Sequence, residues 1–492
     1  MRLAALVLLA GLLPSCGPER PARPNIILFT IDTLRADRVN AKTSPFATRL
    51  AKEGVTFDRC YAPRGQTHPS LASLLTGKYP ATHGLRSNGM ALPPEHVPLP
   101  VLLQQSGYRT AGFCSNLDIT HWSFWVRGFD VAEDGVRGGL NEEGYDEAFR
   151  YQKIWDDRTV AAATRWIDAL PEEPDAPIFL WVHLYDVHAP YAPLEEQARL
   201  FRDPGYAGPA RYPTGGPGEP EQDRINPLLD RWTLGAETCD EADLKQVRAL
   251  YDASILECDG KLARVAEALA AKGLWNGSLV VFTSDHGDEL GDHHRYFFHG
   301  NSIYDSTLRI PLILARPGRE IGGRTSHALA QILDLFPTLL EAASVEIPQE
   351  NEGFSLLPIL DEDAPATPRT HVFAEWEDLI FSVSDGRFKY IHNPGGVRPK
   401  KRPYHLRQDA AFPLECFELY DLESDPLEQA NLFNPQHPRM LELREELARF
   451  LSNPLHSKSM SGEIPDGDPL EALGYVGGSR SREFLRVKCP DR

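Results

Sequence analysis

Cationic side chains are scarce relative to acidic ones: 51 Lys and Arg stand against 70 Asp and Glu in 492 residues, a formal net charge of −19. With no basic patch to offset phosphate charge, nucleic-acid binding is excluded as a function class. An anionic substrate is not excluded, because a metal ion or a helix terminus can dominate the field of one pocket. Cysteine is also sparse, at seven residues, and a chain of this size buries enough core to fold without disulfides. After the first thirteen residues no apolar run is long enough to span a bilayer. There is no His-Glu-x-x-His stretch, so a zinc-protease reading has no support, and there are no internal repeats.

What is present begins at the N-terminus. Met1-Arg2 followed by the apolar Leu3–Leu13 reads as a secretory signal, too short for an ordinary span. It ends in Leu13-Pro-Ser-Cys16, which resembles a bacterial lipobox. The expectation is a signal peptide over 1–15, cleavage before Cys16 and lipid attachment there. Several acyl chains would anchor the exported protein to the membrane, in the periplasm or at the cell surface. An exported chain permits disulfides, and Cys416 with Cys489 is a candidate pair tying the tail to the C-terminal region.

Three segments carry the chemistry. Asn25–Ile31 is a continuous apolar run suited to a strand buried on both faces, and it ends in Asp32. Ser278–Ser284 has the same character and ends in Asp285-His286. Thr67-His-Pro-Ser-Leu-Ala-Ser-Leu-Leu-Thr-Gly77 reads as a helix with proline in its first turn and glycine at its end. Thr67 then lies at the positive helix end, where free N–H groups favour an anion. Taken singly, each has a plainer reading: Thr67 caps a core helix, and an Asp begins a loop. Together they describe a divalent metal site beside an anion pocket at the strand ends of an α/β sheet.

Carried in order along the chain, these motifs resemble the sulfatase family of the alkaline phosphatase superfamily. The matching pieces are Pro24-Asn-Ile-Ile-Leu…Asp32, Thr67-His-Pro-Ser…Gly77-Lys-Tyr-Pro80, Gly107-Tyr-Arg-Thr-Ala111, Phe179…Val187-His-Ala-Pro190, Thr283-Ser-Asp-His-Gly287, His299-Gly300 and Glu418-Leu-Tyr-Asp421. The resemblance implies that Asp32, Asp285 and His286 are metal ligands, with Thr67 touching the same ion. It implies that His188 contacts the ester group, and that His299 stands where many members place a lysine. Asn88 resembles an anion-contacting asparagine, although Asn-Gly is also a plain turn signal. One divalent ion is expected. The carboxylate oxygens suit calcium, magnesium or manganese, and the histidine leaves zinc open. Asp186, His188 and His299 are the residues that would supply a second ion if there were one. Gly291-Asp-His-His-Arg295 reads as an exposed polar loop.

The chain departs from the family pattern where it matters most. The cysteine or serine that the family oxidises to formylglycine is Thr67 here, so formylglycine is not expected. The motif arginine is Leu71, and the second aspartate of the usual Asp-Asp pair is Thr33. Threonine has one hydroxyl, so its ester cannot collapse to an aldehyde and must be cleared by water. Catalytic candidates are therefore Thr67, His188, His299 and Asn88, in a hydrolase of sulfate or phosphate esters acting on a small-molecule or glycan ester. The alternative is a non-catalytic lipoprotein that binds anionic glycans.

Strands alternating with helices imply an α/β architecture, and the resemblance implies an alkaline-phosphatase-like central mixed sheet flanked by helices, with a smaller C-terminal α+β subdomain. The expected division is a catalytic domain over 24–350, the C-terminal subdomain over 365–455 and a turn-rich surface tail over 456–492. Strands are expected at 25–31, 109–114, 178–184, 279–284 and 311–315, with helices at 43–53, 67–76, 157–169, 241–272, 331–343 and 436–452. The Pro/Gly-rich stretch 203–226 reads as a surface insertion.

Overall fold

The structure, a computed structural model, describes residues 23–486 other than 117–125, 136–151, 173, 190, 211–227, 230, 233–236, 295, 301, 320–322, 362–363, 365–366, 377–379, 394–396, 400–414 and 458–483. The candidate signal peptide, Cys16, Cys489 and most of the 203–226 insertion lie outside the described residues.

The first apolar run forms strand β1 (Ile26–Ile31), with all six residues buried. It is joined by β2 (Gly54–Tyr61), β3 (Arg109–Cys114), β4 (Val131–Asp134), β5 (Ile178–Leu184), β6 (Leu279–Ser284), β7 (Glu289–Leu290), β8 (Tyr296–Phe298), β9 (Arg309–Ala315), β10 (Arg324–Ser326) and β11 (Ala330–Gln331). The order in the main sheet is β10-β2-β9-β6-β1-β5-β3-β4, with β11 also on β2, while β7 and β8 form a separate pair. From β6 through β1, β5 and β3 to β4 the pairing is parallel, and β9 runs antiparallel to both β6 and β2. The sheet is mixed, as expected. The expected strands formed, whereas β2 went unread because Thr56, Asp58 and Arg59 interrupt its apolar pattern.

Side-chain alternation along the central strands feeds two cores at once. Ile26, Leu28, Phe179, Trp181, Leu279 and Val281 face one cluster with Leu71, Leu74 and Leu75 of helix 67–76. Ile27, Phe29, Leu180, Val182, Val280 and Phe282 face the other, with Phe46 of helix 45–51, Val160 of helix 152–169 and Leu250 of helix 241–271. Each fully buried Ile, Leu or Phe contributes about 1.5–3 kcal/mol, so continuous burial on both faces fixes the sheet centre. Leu71, at the motif-arginine position, is fully buried in the first cluster. Leu71→Arg is therefore expected to cost on the order of 3–5 kcal/mol by placing a charge among apolar neighbours. A thermal melt indistinguishable from wild type would refute that placement.

The C-terminal sheet is antiparallel, in the order β12 (Val372–Trp376), β13 (Ile380–Ser384), β14 (Phe388–His392) and β16 (Phe417–Asp421). Helix 438–451 covers it with Met440, Leu443 and Leu447. Between β14 and β16, β15 (Val397–Pro399) pairs with β17 (Phe484–Arg486), so the tail read as turn-rich contains a paired strand. Cys416 is disulfide-bonded, and Cys60, Cys114, Cys239 and Cys258 are free thiols. No helix among the described residues is long and apolar enough to cross a membrane.

Candidate active site and metal centre

Parallel pairing in one register brings the chemistry together. Ile31, the last residue of β1, lies opposite Leu184 of β5 and Ser284 of β6. The next residues, Asp32 and Asp285, therefore emerge side by side at the carboxyl edge of the sheet. Ligand atoms of Asp32, Asp285 and His286 all lie within 4.8 Å of one another, the one such group among the described residues.

Each ligand has one atom committed and one left over. Asp285 Oδ1 accepts the N–H groups of Thr33 at 3.1 Å and His286 at 2.8 Å. Asp32 Oδ2 accepts from Asn116 Nδ2 at 2.6 Å. Asp32 Oδ1 and Asp285 Oδ2 are buried with no hydrogen-bond partner. His286 Nδ1 donates to the Gly287 carbonyl at 2.8 Å, which puts the lone pair on Nε2. That Nε2 lies 3.4 Å from Asp285 Oδ2 and 3.3 Å from Thr67 Oγ1. Two buried carboxylates with an oxygen left over and an imidazole lone pair lie within reach of one ion, with the Thr67 hydroxyl beside the imidazole, a donor set that suits a divalent cation. Burial and then the charge of Asp285 hold the Asp32 carboxyl well above its ordinary value. A cation between the two carboxylates removes that penalty.

The turn after β1 is built for this purpose. Thr33 adopts φ +57°, a left-handed backbone that a β-branched residue rarely takes, and this aims its N–H at Asp285. The Tyr251 hydroxyl donates to the Thr33 carbonyl at 2.7 Å and accepts the Arg35 N–H at 2.9 Å, locking the turn. Gly287 is required on the other side, since a Cβ there would stand 2.2 Å from the Ser306 carbonyl oxygen.

Thr67 is the first residue of helix 67–76, and its side chain is buried rather than used as a cap. Asn88 lies at the same helix end, where its Oδ1 accepts the His68 N–H at 3.0 Å. His188 follows β5 and stacks on Tyr185 at 4.5 Å between centroids. His299 stands edge-on to His188 at 4.8 Å and 4.6 Å from the His286 ring. All the proposed site residues therefore gather at one end of the sheet.

Burial favours the neutral form of both His188 and His299. His188 donates Nδ1–H to the Ala189 carbonyl at 2.7 Å, and burial, then His299, push it down to about 3. His299 is driven well below its usual value by burial, then by His286. Its Nδ1 lies 3.3 Å from Asp288 Oδ1, and Asp288 Oδ2 accepts the Tyr191 hydroxyl at 2.6 Å.

Sequence reasoning passed over Asn116, His183 and Asp288. His183 Nδ1 meets Thr30 Oγ1 at 2.7 Å, and its Nε2 lies 3.6 Å from Asp32 Oδ2. The signals were a His inside an otherwise apolar strand and an Asn just past a strand that ends at the same sheet edge, while Asp288, in the turn between β6 and β7, carried none. Because Asn116 holds Asp32 Oδ2, a candidate ligand, Asn116→Ala is expected to weaken metal affinity by about 10–100-fold in a chelator competition. An unchanged affinity would remove Asn116 from the metal's support.

Asp186 Oδ2 lies 2.5 Å from Lys261 Nζ. One expectation is corrected. His293 is buried, not in an exposed loop: its ring stacks on Tyr304 at 3.6 Å between centroids. Arg64 directs its guanidinium to Gln66 Oε1 and the Glu375 carbonyl.

Comparison with known proteins bears on the family and the fold. The sulfatase family model matches residues 24–345, and the model for the C-terminal part of N-sulphoglucosamine sulphohydrolase matches 291–455. The multifunctional alkaline phosphatase superfamily protein PehA of Trinickia caryophylli is 26% identical over 83% of this chain and 91% of its own. N-acetylglucosamine-6-O-sulfatase of Bacteroides thetaiotaomicron is 27% identical over 90% and 89%. Among solved structures, one in complex with its substrate D-glucosamine-2-N,6-O-disulfate superposes with a TM-score of 0.67 at 22% identity, covering 89% of this chain and all of that one. The phosphonate monoester hydrolase of Agrobacterium radiobacter superposes at 0.64 and 22% identity, covering 87% and 95%.

Proposed function

This chain belongs to the sulfatase family of ester hydrolases, and from that premise we propose that it hydrolyses sulfate or phosphate esters with Thr67 as the nucleophile. The carrying observation is that Thr67 Oγ1 lies 3.3 Å from Nε2 of His286, which groups with the buried carboxylates of Asp32 and Asp285 within 4.8 Å. Asp32, Asp285, His286 and Thr67 would hold one divalent ion. Such an ion supplies Lewis-acid stabilisation of negative charge at the reacting centre.

The residues divide the remaining work. Thr67 Oγ1 loses its proton and forms a bond to phosphorus or sulfur as the bond to the departing alkoxide breaks. His188 and His299, whose Nδ1 atoms face the Ala189 carbonyl and Asp288, are the groups placed to carry the proton. The imidazole that takes up a proton returns it to the leaving alkoxide. The Asn88 amide and the N-terminus of helix 67–76 donate to the non-bridging oxygens. Water then displaces Thr67 from the same centre, releasing the acid and restoring the hydroxyl. Displacement by water at phosphorus is the easier of the two, which favours phosphate diesters and phosphonate monoesters over sulfate esters. The likeness to the Agrobacterium phosphonate monoester hydrolase supports that preference, and the likeness to N-acetylglucosamine-6-O-sulfatase and to the protein bound to a sulfated glucosamine supports a sulfated sugar.

The test is a metal-supplemented panel of aryl sulfate, phosphate monoester, phosphate diester and phosphonate ester, with a search for a covalent adduct on the Thr67 peptide by mass spectrometry. Turnover with a Thr67 adduct is expected. A folded, metal-loaded protein silent on all four and on sulfated glycans would favour the glycan-binding alternative. We further propose export and lipid anchoring at Cys16. Cys16→Ser should then release the protein from the membrane fraction, and a wild type that is already soluble would end that proposal.

A further inference from the structure

The reacting groups lie at the edge of the large sheet, but the segment that carries His299 is held by the small one. Lys389 of β14 places Nζ 2.7 Å from Asp305 Oδ1 and 2.7 Å from Glu428 Oε1, with all three residues buried. The Asp305 N–H donates to Glu428 Oε2 at 2.6 Å. Glu428 adopts φ +53°, and its carbonyl receives His293 Nε2 at 3.0 Å. His293, itself at φ +50°, lies flat on Tyr304, whose hydroxyl donates to Glu418 Oε2 at 2.8 Å. Both flanks of His299 are thereby pinned to the C-terminal sheet and the loop that follows it.

The same segment braces the other reacting groups. The Gly287 N–H, next to His286, donates to the Thr307 carbonyl at 2.8 Å. Near Thr67, a Cβ on Gly65 would stand 3.2 Å from Thr307 Oγ1, so the approach to Thr67 runs against helix 305–308. A buried ion cluster is weak support for stability alone, because desolvation offsets its Coulomb gain and apolar packing would serve as well. Its distinctive property is geometric: it fixes one arrangement of the chain segments it joins.

We infer that Lys389 is a positioning residue for the reaction at Thr67, acting through the Lys389–Asp305–Glu428 cluster on the segment that carries His299 and braces the His286 turn. This rests on the reading of Thr67 and His299 as reacting groups. Lys389→Met and Lys389→Arg are compared with wild type for kcat, KM, bound metal and melting temperature, on the substrate wild type turns over. In Lys389→Met, kcat is expected to fall by about tenfold or more, with KM within about twofold and bound metal unchanged, since misplacement of about 1 Å at reacting groups costs this much or more. Lys389→Arg, which keeps the charge, should recover most of the rate. A wild-type kcat in Lys389→Met would overturn the inference, as would a loss that lies wholly in KM or in bound metal, or one that Lys389→Arg fails to restore. If Lys389→Met does not fold, Glu428→Gln is read by the same criteria, because it keeps an acceptor for the Asp305 N–H. Thr67→Ala is assayed alongside. If wild-type turnover does not depend on Thr67, the underlying reading fails; if it does and Lys389→Met is unaffected, only the positioning role fails.

Discussion

Thr67→Ala is expected to abolish ester turnover, lowering kcat by at least about a thousandfold, while leaving the fold and its metal in place. The separation follows from how Thr67 sits. It is the first helical residue and caps nothing, with Gln66 at the N-cap position and no side-chain capping bond there. Alanine is well suited to a helix, so the melting temperature should change little. The hydroxyl stands beside a cluster of three stronger donors, and those, the two aspartates and His286, remain. Thr67→Ser keeps an oxygen in the same place and should retain measurable turnover. Steady-state kinetics with metal analysis on the three proteins reads all of this. A Thr67→Ala protein as active as wild type would leave a directly attacking water as the nucleophile and would remove the covalent intermediate.

The second large effect is the response to the metal itself. Asp32 and Asp285 are fully buried and close together, and each presents an oxygen with no partner. Without a cation, burial and the neighbouring charge hold the Asp32 carboxyl up. The folded apo-protein then binds more protons than the unfolded chain, so its stability should fall as pH rises from the ordinary carboxylate range through the raised value. A bound divalent ion keeps both carboxylates ionised and should flatten that dependence. At a free ion concentration of about 1,000 times Kd, binding adds about 4 kcal/mol to folding, which melts as a shift of several degrees. Asp285→Asn sharpens the test. It should abolish turnover and the metal-induced shift, yet make the apo-protein more stable by relieving like-charge repulsion. Melting curves with and without chelator, at two pH values, check both signs. An apo-protein melting at the same temperature as the metal-supplemented one would speak against a resident ion.

The strands were legible because burial on both faces leaves a run of apolar side chains that no surface element carries. Ile26–Ile31, Ile178–Leu184 and Leu279–Ser284 fall where their apolar runs lie. Helix 67–76 was equally plain, since Pro69 and Gly77 mark its ends. The central site residues were visible for a related reason: Asp32 and Asp285-His286 terminate those runs, and parallel strands bring such ends to one edge. Family resemblance added His188, His299 and Asn88, which no local pattern singles out.

Tertiary structure alone decided the rest, because those contacts join residues far apart in the chain. Asn116 reaches Asp32 across 84 positions, and Asp288 becomes a partner of His299 only when the chain turns back on itself. Asp186 takes Lys261 as its ion-pair partner, from a helix 75 residues further along the chain. His293, polar in sequence, is buried because Tyr304 and Glu428 enclose it. Sequence by itself determined which residue types stand at the strand ends and where one hydroxyl replaces the family's oxidised side chain. Packing decided which atoms of those residues are already spent on hydrogen bonds and which remain to meet a cation, a quantity set by distance and direction that no order of residues contains.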